Sequence, residues 1–442
     1  MNRLFLLLTT LLLGVLLSCN GAGKPGVMVE AVEKTDSCRA DANNSYEVYI
    51  PKRTDADRKL PLLVILDSHG SGKFALDKFK QVANKFPAVL VASNLVKNGF
   101  PGYDAAILTL INDVRQKYPV GETVFLTGFS GGARMALGYA QAHAVNGLIL
   151  CGALAGSDQI SALHCPVLSI SGMDDFNFME TAQYLFQQQP MPGNLNIELT
   201  NASHDWPDSL MLANAFGFLR LSCKSDELVA PSQSQLDAYC RTQQARISTL
   251  QKQGDYLKAT LIARNMASTE VFDGEGKTFT STYNSLKTSR EYTSALEQLG
   301  KCLNKEISPR QPYIDAFMKR DSTWWKNEIR TNDAKIKSEP DAYTRDMYRR
   351  IKGFWGIACY SLGNQAVQQR NADALTRIVA IYHALEPDNS YVYYFAAFPY
   401  YWQGNNVAAA ALLKKALMLG FTDVNQLKKD FSETVWSKAL AK

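Results

Sequence analysis

The sequence predicts an α/β fold with a doubly wound, mostly parallel sheet, followed by an all-α domain. Short apolar runs alternate with helical patterns over the first half of the 442 residues, which is typical of a parallel sheet covered by helices. A glycine-rich motif at 128–132 stands directly between an apolar run and a helical pattern. Strand signals largely stop after Cys223, and helical patterns continue almost to the end of the chain.

The individual elements have separate signals. Strands are predicted from an alternating pattern at 45–50 and from apolar runs at 61–66, 88–92, 123–127, 146–151, 166–171 and 195–199. Residues 104–118 repeat apolar side chains with helical spacing, and a further helix with proline at its start is predicted over 207–221. The C-terminal ends of parallel strands are therefore where a reacting site is expected.

The motif G-x-S-x-G at 128–132 predicts a nucleophilic serine at Ser130. It follows the apolar run 123–127 and precedes the helical pattern 133–141, so the serine lies in a sharp turn between a strand and a helix. Such a turn strains the serine backbone and leaves no room for side chains at the flanking glycines. The N-terminus of the helix stabilises negative charge beside the hydroxyl. The alternative is a structural glycine-rich turn.

A serine nucleophile needs a base and a carboxylate that orients the base. Of the five histidines, His204 lies in a polar loop after the last predicted strand, and it is predicted as the base rather than an exposed loop residue. The acid is expected between Ser130 and His204 in the chain. Asp174 and Asp175 follow the strand at 166–171, with Asp175 preferred as the fourth residue of a G-x-x-D turn and Asp174 as the alternative.

An H-G-x-G turn within 67–72 predicts an oxyanion hole. It follows an early strand and offers backbone N–H groups to a developing negative charge. The N–H groups of Gly131 and Ser71 are predicted as the two donors, with Gly70 as the alternative to Ser71. His69 is then a structural residue of this turn.

Residues of about 40–222 resemble an α/β-hydrolase of the small esterase type, which includes polyhydroxybutyrate depolymerases, feruloyl esterases and dienelactone hydrolases. The segments that carry the resemblance are DSHG at 67–70, GFSGGARMA at 128–136, GMDD at 172–175 and SHDWP at 203–207. The resemblance implies an ester hydrolase that works through an acyl-enzyme, with Ser130 as nucleophile, Asp175 as acid and His204 as base.

Two departures from the family pattern concern the substrate and the oxyanion geometry. Asp67 and Ser68 replace the apolar residue often found before the HG turn, and the glycine-rich segment before the histidine is reduced to 202–203. There is also no long insertion between Cys151 and Pro166, where lids often lie. An uncovered site is therefore expected, suited to a bulky or polymeric substrate. The resemblance, together with the export predicted below, implies acylated glycans as a substrate class.

The N-terminus predicts export and lipid attachment. A positive charge precedes an apolar core at 4–17, which is shorter than a membrane span. The sequence LLSC is typical of a bacterial lipobox, so 1–19 is predicted as a lipoprotein signal peptide, with Cys19 retained and lipidated and 20–39 as a tether. The predicted location is the bacterial cell envelope, with the membrane as a partner through the lipid. A plain cleaved signal and an uncleaved anchor are the alternatives.

The second half of the chain predicts a helical domain with repeats. The predicted boundaries are a hydrolase domain over 40–223, a helical region over 224–348 and tetratricopeptide-like repeats over 349–442. Two 34-residue copies, 356–389 and 390–423, carry small and large residues at the repeat positions. Stacked helix pairs form a concave surface, which predicts either a docking site for a partner or substrate, or a structural appendage.

Composition and motifs argue against several other classes of function. A net charge of +5, without a long basic run, gives no support for nucleic-acid binding. The chain has no P-loop, dinucleotide fingerprint or H-E-x-x-H motif, so no cofactor and no metal are predicted. The alternative functions are a serine peptidase and a binding protein with an inactive hydrolase domain. Among the cysteines, Cys223 and Cys240 are one candidate disulfide pair.

Overall fold

The computed structural model describes residues 29–55, 58–186, 191–225, 228–274 and 277–441. The predicted signal peptide and Cys19 lie outside the described residues. Over the described ranges, no helix combines the length and apolar character needed to cross a membrane.

Over the described residues, eight strands form one sheet, and we number them in chain order. They are β1 (Val32–Cys38), β2 (Asp41–Ile50), β3 (Leu60–Leu66), β4 (Val89–Ser93), β5 (Val120–Phe129), β6 (Gly147–Cys151), β7 (Val167–Gly172) and β8 (Leu195–Thr200). Their order across the sheet is β1-β2-β4-β3-β5-β6-β7-β8. The β1–β2 and β2–β4 pairs are antiparallel, and all the others are parallel.

The predicted tether needs a correction, because part of it is a strand. Residues predicted as tether over 20–39 include β1, which pairs antiparallel with β2 along its length. Most of β1 is exposed, so no apolar pattern marks it in the sequence. Its main chain covers the edge of β2, which would otherwise present unpaired N–H and C=O groups.

In the part of the sheet domain that the structure describes, there are six helices. They are α1 (Gly72–Lys85), α2 (Tyr103–Lys117), α3 (Gly131–Ala142), α4 (Ser157–Ser161), α5 (Phe178–Phe186) and α6 (Ser209–Ser222). Alternate residues of β3 point to opposite faces of the sheet. Leu62 and Val64 pack in a core with α2 and α3, whereas Leu63 and Ile65 pack in a second core with α1 and α6. The predicted doubly wound sheet is confirmed.

The rest of the described chain is helical, as predicted. The helices are α7 (Gln233–Lys252), α8 (Tyr256–Ala267), α9 (Glu270–Asp273), α10 (Thr278–Lys287), α11 (Arg290–Ile307), α12 (Arg310–Lys319), α13 (Ser322–Ser338), α14 (Ala342–Gln368), α15 (Ala372–Leu385), α16 (Ser390–Trp402), α17 (Asn406–Met418), α18 (Val424–Asp430) and α19 (Glu433–Leu440). The window 390–423 contains the pair α16 and α17, and 356–389 contains α15 and the end of α14. Membership of the tetratricopeptide class stays a prediction.

The helical domain shares a core with the sheet domain. Leu257 and Leu261 of α8 and Leu299 and Leu303 of α11 are buried in the same apolar cluster as residues of α2, α3 and α5. Burial of apolar side chains contributes about 25 cal/mol per Å² removed from water. The two parts of the chain are therefore held together by a continuous apolar core.

A buried arginine joins the two domains close to β7. Arg350 on α14 is fully buried, and its Nε donates to Glu306 Oε2 over 2.7 Å. Its Nη1 donates to the main-chain oxygen of Met173, the residue that follows β7. The guanidinium also lies 5.2 Å from the centre of the Phe178 ring. Helix α14 is thereby fixed to the loop after β7.

The seven described cysteines are free thiols, so the candidate Cys223–Cys240 bridge does not form. Five of them are buried. Burial raises the pKa of Cys165 to about 11. Such thiols behave as small apolar side chains that fill the core.

Replacing Arg350 by methionine is expected to lower the free energy of unfolding by about 3 kcal/mol, because Glu306 keeps a buried charge with a partner removed. Urea denaturation measures the change. The control is Lys319→Met, which breaks an exposed Lys319–Asp315 pair in the same domain and is expected to cost less than about 1 kcal/mol. Equal losses in the two variants would show that the buried pair does not stabilise the structure.

Candidate active site

Ser130 lies in a strained turn between β5 and α3. Its φ of 55° and ψ of −116° fall in a region that non-glycine residues rarely adopt. A side chain at Gly128 would overlap the main chain of Gly132, and one at Gly132 would overlap the main-chain oxygen of Leu66. Both positions therefore require glycine, and the close approach of α3 to β3 and β5 holds the turn in its strained form.

The structure brings the three predicted triad residues together. His204 Nε2 lies 2.9 Å from Ser130 Oγ, so the hydroxyl can donate to the ring nitrogen. His204 Nδ1 lies 2.9 Å from each carboxylate oxygen of Asp175, to which its N–H donates. Asp175 is 2% exposed, so it interacts with the imidazole in an environment largely shielded from water.

Aromatic rings and a tight turn hold the base and the acid in place. Phe129 and Phe176 pack against the His204 imidazole with ring centres 4.6 and 4.1 Å away. The main-chain N–H of Asn177 donates to Asp175 Oδ1 over 2.7 Å. Each of the two phenylalanines is next to a predicted catalytic residue in the sequence. That position does not show whether the ring contacts the histidine or packs in the core, so neither ring was predicted from the sequence.

Asp174, the alternative acid, has a different environment from its neighbour. Its side chain is 10% exposed, and Oδ2 lies 3.8 Å from Arg349 Nη1. Over the described residues, its buried Oδ1 has no hydrogen-bond partner. Burial raises the pKa of Asp174 to about 6, and the nearby Asp346 carboxylate contributes to the rise. Of the two aspartates, Asp175 is the one that contacts the His204 imidazole.

The turn after β3 is organised around the carboxylate of Asp67. Its Oδ1 accepts from the N–H groups of His69 over 2.9 Å and Ser71 over 3.3 Å, and the Gly70 N–H donates to its main-chain oxygen over 3.1 Å. Its Oδ2 accepts from Trp206 Nε1 over 2.9 Å. One buried carboxylate therefore links this turn to the loop that carries the base.

This network corrects the predicted oxyanion hole. The N–H groups of Ser71 and its alternative Gly70 are directed to Asp67 and not to Ser130. Both residues line an adjoining cavity that does not contain the nucleophile. Gly131, the other predicted donor, begins α3 directly after Ser130, where its N–H belongs to the unpaired helix N-terminus.

A cavity of about 800 Å³ lies over the triad, between the two domains. The sheet domain supplies Ser130, His204 and the surrounding loops. The helical domain supplies the opposite wall from α14 and from the segment around the α15–α16 turn, with the polar side chains Arg349, Lys352, Tyr360, Tyr382, Glu386 and Tyr391. No insertion within the sheet domain covers the site, in line with the expectation, but the C-terminal domain adds a wall that the expectation did not include.

The cavity wall combines aromatic rings with hydrogen-bonding and charged groups, including Asn98, Asn389 and Glu386. Over the described ranges, no cluster of three or more histidine, cysteine, aspartate or glutamate side chains is arranged to hold a metal ion. The Ser130 hydroxyl lies beside the His204 imidazole, which in turn contacts the Asp175 carboxylate. This set of groups is suited to acyl transfer.

The strand order, together with a strained serine turn after β5, defines the α/β-hydrolase fold, so the predicted fold class is confirmed. No protein-family model matches the chain, and neither does any curated protein.

Solved structures resemble parts of the chain. Est1E from Butyrivibrio proteoclasticus aligns over 41% of this chain and 95% of its own, with 13% identity and a TM-score of 0.33. The esterase domain of a Rhodothermus marinus protein aligns over 43% and 97%, with 10% identity and a TM-score of 0.32. An acylaminoacyl peptidase from Pyrococcus horikoshii aligns over 47% and 44%, with 10% identity and a TM-score of 0.33.

Asp174 is expected to make stability depend on pH. Its pKa is 3.8 in a model compound and about 6 in the folded protein, so the folded state binds the proton more tightly. The free energy of unfolding therefore falls as pH rises from about 4 to above 6, by about 3 kcal/mol for this group. Asp174→Asn removes this loss, so urea denaturation should show the variant gaining on the wild type between pH 4 and pH 7. An equal difference at both pH values would contradict the assignment.

Proposed function

We propose that this protein is a serine hydrolase that cleaves carboxylic esters through an acyl-enzyme. The observation that carries the proposal is the continuous hydrogen-bonded arrangement from Ser130 through His204 to Asp175. An inactive domain that serves only for binding would not need this geometry. The 2.9 Å between Ser130 Oγ and His204 Nε2 therefore argues for an enzyme.

The proposed reaction has two halves. Ser130 Oγ attacks the ester carbonyl carbon while His204 Nε2 takes the hydroxyl proton, and the carbonyl electron pair moves to the oxygen. His204 then gives the proton to the departing alcohol, which leaves the acyl group on Ser130. In the second half, His204 activates a water that attacks the acyl-enzyme, and the carboxylic acid is released. Asp175 stabilises the imidazolium, and the Gly131 N–H faces the oxyanion.

We further propose an acylated glycan as the substrate class. The cavity volume of about 800 Å³ is in the range of pockets that enclose a small ligand, so it suits a few sugar units. Its wall offers aromatic faces together with carboxylate, amide and hydroxyl groups, which can bind a polyhydroxylated alcohol. The helical domain would then contribute to substrate contact, and a protein partner on the remaining repeat surface is a separate proposal.

The proposed location is the bacterial cell envelope. The lipobox pattern ending at Cys19 supports a lipid anchor, and an exported hydrolase would meet glycan esters outside the cytoplasm. Metabolic labelling with a fatty acid, compared between the wild type and Cys19→Ala, tests this point.

Ser130→Ala is expected to abolish labelling by a fluorophosphonate and to lower kcat on p-nitrophenyl acetate by about 10⁴-fold or more, because the nucleophile is removed.

Asp175→Asn is expected to lower kcat by about 10⁴-fold, since the imidazole loses its orienting carboxylate. The matched control is Asp174→Asn, for which a loss of less than about tenfold is expected. Equal losses at the two aspartates would contradict the assignment of the acid. Cleavage of peptide anilides with no ester turnover would instead identify a peptidase.

Acetate release from an acetylated xylo-oligosaccharide tests the substrate class. We expect a kcat/KM at least about tenfold above that for p-nitrophenyl acetate, because remote contacts in the cavity stabilise the transition state. A lower kcat/KM for the sugar ester than for the small ester would count against a glycan substrate while leaving the ester hydrolase intact.

A further inference from the structure

The oxyanion hole lacks an obvious second donor. Acyl transfer by serine hydrolases is usually assisted by more than one N–H group aimed at the developing charge. The N–H groups of His69, Gly70 and Ser71 in the turn after β3 are all engaged by Asp67. Ser68, which lines the cavity with Ser130, keeps an N–H that Asp67 does not accept. A side-chain donor on a neighbouring loop is the alternative to this main-chain group as the partner of the Gly131 N–H.

Asn98 lies in the loop between β4 and α2, next to this site. Its main-chain N–H donates to the oxygen of Ser68 over 2.9 Å, which ties the loop to the turn after β3. The following Gly99 has a φ of 76°, and the N–H of Phe100 donates to the oxygen of Lys97 over 3.0 Å. This β-turn closes the loop and fixes the position from which the Asn98 side chain extends.

The Asn98 side chain reaches the residue that follows the nucleophile. A Cβ atom added at Gly131 would overlap Asn98 Oδ1 and would lie 2.6 Å from its Cγ and 3.1 Å from its Nδ2. The amide therefore occupies the space directly beside the Gly131 Cα. Asn98 and Ser130 line the same cavity. Within the described part of the chain, no group is hydrogen-bonded to this side-chain amide.

We propose that Asn98 is a catalytic residue whose side-chain amide donates the second hydrogen bond to the oxyanion, beside the Gly131 N–H. The role rests on the proposed ester hydrolysis. The amide occupies the place of a Cβ atom at Gly131, and the nitrogen and Cβ atoms of one residue lie about 2.5 Å apart. The amide and the Gly131 N–H are therefore close enough to contact one oxygen atom. Oδ1 is the amide atom nearer to Gly131, and a half-turn about the Cβ–Cγ bond exchanges Oδ1 and Nδ2. The proposal requires Nδ2 to face the oxyanion, because only Nδ2 donates. Because the amide is neutral, it stabilises the negative charge without an ion pair in the resting site.

Steady-state kinetics on p-nitrophenyl acetate tests the proposal. Asn98→Ala is expected to lower kcat by about 10²- to 10³-fold, with KM changed by less than about threefold, because the lost hydrogen bond forms only in the transition state. Asn98→Asp preserves the shape but replaces the donor by a carboxylate, so we expect a loss at least as large as in Asn98→Ala. The control is Asn284→Ala, an exposed residue on α10 outside the cavity, for which both parameters stay within about twofold of the wild type.

A second readout separates catalysis from packing. A trifluoromethyl ketone forms a tetrahedral adduct with the nucleophile, so its inhibition constant should weaken in Asn98→Ala by a factor similar to the loss in kcat/KM. Thermal unfolding of the variants should match the wild type. Three results would each overturn the proposal and assign the second donor to the main chain after β3. They are a kcat within threefold of the wild type in Asn98→Ala, full activity in Asn98→Asp, and an unchanged inhibition constant. A wild type that neither turns over esters nor reacts with a fluorophosphonate would overturn the proposed function, and this inference with it.

Discussion

The strained backbone of Ser130 is the constraint on which the rest of the site depends. A φ of 55° at a serine costs free energy and persists only where the surroundings leave no alternative. Here the alternatives are blocked because α3 packs so closely on β3 and β5 that Gly128 and Gly132 have no space for a side chain. The same contact aims Oγ at the edge where the parallel strands end, and the loops after β7 and β8 bring Asp175 and His204 to that edge. The position of Ser130 opposite His204 is thus a consequence of this packing arrangement.

Asp67 has a comparable influence on the opposite side of the nucleophile. Its buried carboxylate accepts from main-chain N–H groups of its own turn and from the indole of Trp206. The Trp206 ring packs on Phe129, which in turn packs on His204, so the carboxylate supports the position of the base through aromatic contacts. As a consequence, several main-chain N–H groups of the turn after β3 are already used within the turn. A site organised in this way gains from a donor on another loop, and the anchored loop of Asn98 is the neighbour that can supply one.

The helical domain changes what the sheet domain can bind. An α/β-hydrolase sheet with short loops would leave the triad open to a polymer, but α14 and the segment around the α15–α16 turn form a second wall over it. Arg350, which is held by its buried ion pair with Glu306, donates to the main-chain oxygen of Met173 and so links α14 to the loop that carries Asp174 and Asp175. Movement of the helical domain would therefore alter the cavity and the acid loop together. In the proposed reaction, this coupling would give the second domain a part in shaping the site, beyond that of an appendage.

The site residues that the sequence could predict are those with a signal in the neighbouring sequence. Ser130 lies in a short motif with a defined strand and helix around it, and Asp175 and His204 follow strands in the chain order that the motif implies. Ser71 failed as a donor because the direction of its N–H is decided by the Asp67 side chain, which the H-G-x-G pattern does not reveal. The exposed strand β1 carries no apolar alternation, and the cavity wall comes from helices distant in sequence, so neither had a local signal. Asn98 belongs to the same group, since an asparagine before a glycine is typical of an ordinary turn. Only its tertiary contact with Gly131 and Ser68 distinguishes it from other turn residues.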